Sequence, residues 1–326
     1  MADVAVLGCG RMGRGIAQAY ALAGEPVLLI DAKPRDPAAY ERLAQETRDE
    51  IAGDLRFLAS IGVGNEAGAE RAAARVTIVP RDEGERRIGA ATIIYEGVPE
   101  TMTAKADIFG WACAHVAPEA VIASTSSTMA VDDLAALGTQ AERFVNAHWL
   151  NPATLMPLVE VARGTHSGAA AVDALCASLR SIGKTPVVMK NSPGYIVPRI
   201  QALAMNEAAR LAEEGVADPQ EIDRAVRLGF GIRYAVLGLL EFIDFGGNDI
   251  LFHASNHLAD TVDAQRYAPP RSVVDNMQAG RNGMRDGAGF LDWEGVDTAA
   301  YRADRLRSFV ALLGFLKLLP KAADHG

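Results

Sequence analysis

The chain has 326 residues, 49% of them hydrophobic, and a net charge of −9 from 32 basic and 41 acidic side chains. That is enough apolar material for one large or two ordinary domains with buried cores, and too little basic charge to neutralise the phosphates of a nucleic acid. Three cysteines (Cys9, Cys113, Cys176), odd in number and without CxxC spacing, indicate neither a disulfide framework nor a zinc site. With no leader-like start and no apolar run of membrane length, the expectation is a cytoplasmic protein with packed, reduced thiols and no membrane, nucleic-acid or metal partner.

In chain order, short apolar runs occupy 4–8, 26–31, 75–80, 91–98, 120–126, 143–150, 157–162 and 185–190. Continuous rather than alternating apolar runs mark strands covered on both faces, as in a parallel sheet flanked by helices. The fold class expected is therefore α/β, a Rossmann-type doubly wound sheet. Between Asp31 and Val76 the helical stretch is longer than one crossover needs and turns near Ile61–Asn65, which predicts a helical hairpin inserted into the sheet domain. After residue 190 strand patterns vanish. The boundary is placed there, with a dinucleotide-binding domain over 1–190 and an all-α domain over 191–326. Within the latter, helices are expected to break at Ala217–Pro219, where Asp218 is an N-cap with Pro219 behind it, and again at Gly229–Gly231.

Gly8-Cys9-Gly10-Arg11-Met12-Gly13 follows the first strand and opens a helix. In that context a GxGxxG sequence gives a tight turn, lets backbone approach a pyrophosphate and presents the N–H groups of a helix start. Gly8, Gly10, Arg11, Met12 and Gly13 are accordingly the candidate phosphate-binding residues. Asp31, at the end of the second strand, is placed to accept from adenosine ribose hydroxyls and to repel a 2′-phosphate, which indicates NAD. Its plainer reading is a strand-end cap, and neighbouring Lys33 and Arg35 soften the exclusion of NADP.

Histidine 148 closes one strand and Glu160 opens the next after a proline-bounded turn, Asn151–Pro157. Such a pair can meet, the carboxylate fixing the imidazole tautomer and leaving the other ring nitrogen as base. Taken alone, a strand-end histidine is more often structural.

Five ordered segments together resemble the L-3-hydroxyacyl-CoA dehydrogenase family: Gly8–Gly13, Glu96–Glu100 with Lys105, Ser124–Thr128, His148–Glu160 and Ser192–Val197, spread over residues 3 to about 295. The resemblance implies a Rossmann-type domain with a helical insert, a helical second domain used for substrate binding and homodimer formation, and NAD as hydride acceptor. It makes His148 the general base, Glu160 its orienting partner and Ser127 a hydrogen-bond partner of the substrate oxygen. It places Glu100, Lys105, Ser127 and Asn151 against the nicotinamide half of NAD. It gives Gly283–Phe290 a structural role.

The chain departs from the family in three places. Pro198 stands where the family has an asparagine that serves the active site, and proline offers no amide. The insert helix at 41–54 is more acidic than a CoA-phosphate holder would be. Gly229–Gly238 is longer than in the acyl-CoA enzymes and looks like the gulonate dehydrogenase and λ-crystallin branch, in which Arg233 could grip a substrate carboxylate; a helix-end arginine or a dimer-interface salt bridge accounts for it as well. The expected activity is that of a 3-hydroxyacyl-CoA dehydrogenase of the 3-hydroxybutyryl-CoA type, a step of fatty acid metabolism. The alternatives are a dehydrogenase of a small free 3-hydroxy acid, such as a gulonate or carnitine enzyme, and a non-catalytic NAD-binding relative.

Overall fold

The computed structural model describes residues 3–320. Eight strands, β1 (Val4–Leu7), β2 (Val27–Ile30), β3 (Val76–Val79), β4 (Ile93–Glu96), β5 (Val121–Ser124), β6 (Phe144–Trp149), β7 (Leu158–Arg163) and β8 (Thr185–Lys190), form one sheet in the order β3-β2-β1-β4-β5-β6-β7-β8. All eight coincide with the apolar runs of the sequence, and the expected doubly wound α/β sheet is present. Every neighbouring pair is parallel except β6 with β7. The physical reason is the connection over 150–157, far shorter than the roughly dozen residues that a parallel crossover needs.

Helices α1 (Arg11–Leu22), α2 (Pro37–Ser60), α3 (Glu66–Ala74), α4 (Arg81–Arg87), α5 (Met102–His115), α6 (Val131–Ala135) and α7 (Ala169–Ser181) connect the strands. Two apolar clusters lie on opposite faces of the sheet, one gathering Val6, Ile16, Leu29 and Tyr95, the other Leu7, Ile30, Phe109 and Ile122. Alternate residues of β1 thus serve different faces, and both sides are dry. The inserted hairpin is α2 and α3. Asp36 caps α2 through Ala39 N and Asn65 caps α3 through Gly68 N, while Ala44, Thr47, Ile51, Leu55 and Leu58 recur at helical spacing and are buried.

The chain divides into two compact units, Met1–Leu203 and Ala204–Gly326. The first runs past residue 190 because Tyr195, Ile196 and Val197 hydrogen-bond back to Ser126 and Glu160. Helix α8 (Val197–Glu213) is followed by α9 (Pro219–Ala225), α10 (Ile232–Val236), α11 (Leu239–Gly246), α12 (Asn248–Thr261), α13 (Ala264–Tyr267), α14 (Arg271–Gln278) and α15 (Thr298–Phe315). The expected break at Gly229–Gly231 is not one. Val226–Gly231 widens into a π-helical turn and leads directly into α10, with Gly231 itself right-handed at φ −60°. Glycine weakens a helix by about 1 kcal/mol but does not stop it unless a left-handed cap or a proline follows.

Within this second unit the buried carboxylate of Asp244 accepts from Phe290 N, Leu291 N and Trp293 Nε1. It thereby pins the loop around Gly283, whose φ of 106° and whose missing side chain are both required, since a Cβ there would lie 2.3 Å from Asp244 O. Helices α8, α10 and α15 bury no residue completely. Among the described residues, no helix is long and apolar enough to cross a membrane.

Candidate active site

The turn from β1 into α1 is built by glycines. Gly8 adopts φ 111°, and a Cβ on it would stand 2.8 Å from Gly97 O; one on Gly13 would stand 1.9 Å from Gly8 O. Gly10 differs: it is the N-cap of α1, and the nearest atom to a Cβ there is 3.9 Å away. The space in front of the helix start is therefore open, and no side chain caps the first-turn amides that begin at Arg11 and Met12. An open cleft of about 600 Å³ runs from this turn past Asp31 to Gly97–Pro99. Uncapped N–H groups at the positive end of a helix, beside a glycine that leaves room for backbone approach, fit the pyrophosphate of NAD.

At the end of β2, Asp31 is 4% exposed. Its Oδ2 accepts from Arg35 Nε at 2.6 Å and its Oδ1 from Lys33 N at 3.2 Å. Cys9, inside the glycine turn, has its thiol pushed up to about 12 by burial, with Asp31 adding to the effect. It remains a protonated packing group. Among the described residues, no group of three His, Cys, Asp or Glu side chains could hold a metal ion.

A polar network surrounds the loop after β5. Glu96, fully buried at the end of β4, accepts from Lys105 Nζ through both oxygens (2.9 and 2.8 Å), from Ser124 Oγ at 2.8 Å and from Val98 N at 2.7 Å. Lys105 is itself fully buried and also reaches Glu100 Oε2 at 3.2 Å. Glu100 in turn accepts from the Ser126 hydroxyl, from Ser127 N at 3.2 Å and from Thr128 Oγ1 at 3.0 Å. Burial alone would raise its carboxyl, but the Ser126 hydroxyl and the Lys105 ammonium outweigh it and hold the group below the usual carboxylate range. The network thus brings together Glu100, Lys105 and Ser127, three residues that the sequence assigned to the nicotinamide end. The Ser127 side chain is exposed and makes no hydrogen bond among the described residues.

The antiparallel register sets His148 opposite Glu160. Nδ1 of His148 donates to Glu160 Oε2 at 2.8 Å, and Nε2 has no partner among the described residues. Glu160 is fully buried and uses its other oxygen to accept from Ile196 N (2.9 Å) and Val197 N (2.8 Å), the amides that open α8. One carboxylate therefore orients the imidazole and caps a helix. Pro198 occupies the first turn of α8, where a missing N–H removes no intrahelical bond. Asn151 lies exposed in the turn between β6 and β7, a turn held by Lys184, whose ammonium donates to Ala153 O, Thr154 O and Met156 O. Arg233 belongs to the second unit, where its guanidinium lies 5.7 Å over the Phe242 ring.

Sequence reasoning gave no role to Glu96, Asn146 or Tyr195. The first two were signalled by a polar residue within an otherwise apolar run, Asn146 inside β6 and Glu96 at the end of β4, since such a group is buried only with partners. Tyr195 carries no local signal of this kind.

The 3-hydroxyacyl-CoA dehydrogenase NAD binding domain matches residues 3–192, and the C-terminal domain of the same family matches 194–293. The chain is 32% identical to a 3-hydroxybutyryl-CoA dehydrogenase of Bradyrhizobium diazoefficiens, over 90% of this chain and 96% of that one. It is 31% identical to the 5-formyl-3-hydroxy-2-methylpyridine 4-carboxylate 5-dehydrogenase of Mesorhizobium japonicum, over 97% and 98% respectively. The crystal structure of a 3-hydroxyacyl-CoA dehydrogenase from Archaeoglobus fulgidus superposes with a TM-score of 0.77 at 27% identity, covering 98% of this chain and 100% of that one. Together with the glycine turn, the cleft and the paired His148 and Glu160, these matches show that the chain belongs to the 3-hydroxyacyl-CoA dehydrogenase family, NAD-dependent oxidoreductases acting on a CH–OH group.

Proposed function

We propose that the protein oxidises the 3-hydroxyl of a 3-hydroxyacyl-CoA to a ketone, with His148 as general base. The observation that carries this reading is the 2.8 Å bond from His148 Nδ1 to the buried Glu160, which leaves Nε2 as the unprotonated nitrogen and supports the imidazolium once it forms. NAD, held by the glycine turn and Asp31, supplies the hydride acceptor. His148 takes the hydroxyl proton, and the exposed Ser127 hydroxyl donates to the substrate oxygen. Glu100 and Lys105 fix the loop that presents Ser127, with Asn151 at the nicotinamide end. The products are the ketone, reduced cofactor and the proton left on His148.

A second reading, a small free hydroxy acid held by Arg233, is favoured by the similarity to the pyridine carboxylate enzyme over nearly the whole chain. Reduction of acetoacetyl-CoA with NADH separates the two. Turnover supports the acyl-CoA substrate. No turnover, beside oxidation of a small hydroxy acid that collapses in Arg233→Met, moves the enzyme to the free-acid class, because losing a bond to a charged group costs about 1.5–3 kcal/mol. The protein works as a cytoplasmic homodimer in this reading. The free Cys9, Cys113 and Cys176 suit a reducing compartment, and the uncovered apolar side chains of α15 suit a subunit contact.

A further inference from the structure

Among the described residues, Tyr195 is the one aromatic residue in the left-handed backbone region, at φ 46°, directly after Gly194 at φ 75°. A bulky side chain persists there only where its surroundings over-determine it, and such sites concentrate where geometry matters for function. The surroundings are specific. The residue is 3% exposed, its ring lies against the His148 imidazole with centroids 4.8 Å apart and planes inclined by 21°, and its hydroxyl donates to Ser126 O at 2.8 Å. That same carbonyl accepts from Asn146 Nδ2 at 2.8 Å, and the next amide, Ser127 N, donates to Glu100. The peptide that presents Ser127 is thus fixed at both ends, one of them by Tyr195. Burial, with Glu100 and Glu160 adding to it, pushes the phenol up, so it remains a donor.

We propose that Tyr195 is a positioning residue for both halves of the reaction machinery, its ring setting the imidazole of His148 and its hydroxyl setting the Ser126–Ser127 peptide. The proposal rests on the reading of His148 as base and Ser127 as substrate contact. Glu160 fixes the imidazole only at Nδ1, so rotation of the ring out of its plane is restrained by the stacked face of Tyr195. That face also favours the imidazolium, because the ring quadrupole attracts the charge that proton transfer creates. A core-filling residue would need neither the hydroxyl nor the strained backbone. Among the described residues the imidazole's hydrogen-bonded charged partner is Glu160 on β7, and the carboxylates that act on the Tyr195 ring are Glu100 and Glu160, the former paired with Lys105.

Two variants separate the two functions of the side chain. In the full-length protein, the ring signals of His148 are assigned by their loss in His148→Ala and titrated by NMR. Tyr195→Leu should lower the titration midpoint by about 0.5–1.5 units, the range to which a cation–ring contact converts. Tyr195→Phe should leave the midpoint in place and, with acetoacetyl-CoA and NADH, raise the KM for the ketone about three- to tenfold with the KM for NADH unchanged. An unshifted midpoint in Tyr195→Leu together with a parental KM in Tyr195→Phe overturns the proposal. If Tyr195→Leu does not fold, the Phe variant decides alone, since it keeps the packing volume. A His148→Ala enzyme that turns over like the parent refutes the base reading itself, and the titration then still reports whether the ring acts on the imidazole.

Discussion

Asp31 meets the cofactor cleft with its charge already shared, because Arg35 Nε lies 2.6 Å from Oδ2. A 2′-phosphate would have to displace that pair or sit beside the carboxylate, and a cost above about 1.4 kcal/mol should make NAD bind at least tenfold more tightly than NADP. Asp31→Ala frees the Arg35 guanidinium for the phosphate and should narrow or reverse the preference; calorimetric titration with both cofactors reads the two numbers, and equal affinities in the parent would contradict the assignment. His148→Ala should lower kcat by roughly 10²–10⁴, the usual worth of a general base, while NAD affinity stays near the parental value. The glycine turn, Asp31 and the His148–Glu160 pair could be picked out as candidates in the sequence because each is set by local geometry or across a short turn. Tyr195 was not, since its partner carbonyl on Ser126 is 69 residues away, and Glu96 gained its meaning only once the topology set β4 beside Lys105 and Ser124.

Helix α5 is fastened to the sheet by the buried pair Lys105–Glu96, with side-chain exposures of 1% and 0%. Removing one partner of such a pair strands a buried charge and costs about 3–5 kcal/mol, whereas a pair intact adds little by itself. Lys105→Met should therefore lower the unfolding temperature by roughly 10 °C, taking about 2–4 °C per kcal/mol for a unit of this size. Differential scanning calorimetry checks it, and a change of only a degree or two would mean that Glu96 finds water or a proton. Elements were the most readable scale. All eight strands stood out as apolar runs, the inner ones because both their faces are covered and the edge strands β3 and β8 although they are partly or largely exposed, and the Asp36 and Asn65 caps framed the hairpin. The widened turn at Val226–Gly231 was not readable, because glycines that break a helix and glycines that a helix merely tolerates have the same sequence.

At the scale of the molecule, the uneven distribution of apolar surface matters most. Leu306 and Val310, one helical turn apart on α15, are 56% and 55% exposed, while the inner strands β1, β2, β4, β5 and β6 of the first unit are buried along their length. Soluble monomers rarely leave such a row uncovered, and the surface suits a second copy of the chain. Sedimentation equilibrium should give twice the chain mass, and the double variant Leu306→Glu/Val310→Glu should shift it toward the monomer. A parental enzyme that sediments as a monomer at micromolar concentration removes α15 from the role. Composition allowed one large or two ordinary domains, and the loss of strand patterns after residue 190 suggested two; exposed apolar residues such as Leu306 and Val310 carry no sequence signature that separates a partner-binding face from solvent.

The carboxylate shared between α8 and the imidazole has a directional consequence. Glu160 only accepts, from Ile196 N and Val197 N on one oxygen and from His148 on the other. A glutamine there must turn its carbonyl toward the two helix amides, which tolerate no donor, and so it aims its NH₂ at Nδ1. The polarity of the whole relay then reverses: Nδ1 accepts, Nε2 carries the hydrogen, and the ring greets an alcohol with a donor where a lone pair is needed. Glu160→Gln should accordingly lose alcohol oxidation by roughly 10²–10³, no more than His148→Ala loses, because the base is locked in the wrong tautomer, although the substituted side chain is isosteric. It should still bind the ketone, to which Nε2–H can donate. Stopped-flow oxidation of the alcohol and equilibrium binding of acetoacetyl-CoA measure the two halves; a variant that keeps more than about a tenth of the parental oxidation rate would show that the amide has rotated away and that the helix start, not the imidazole, gave up its partner.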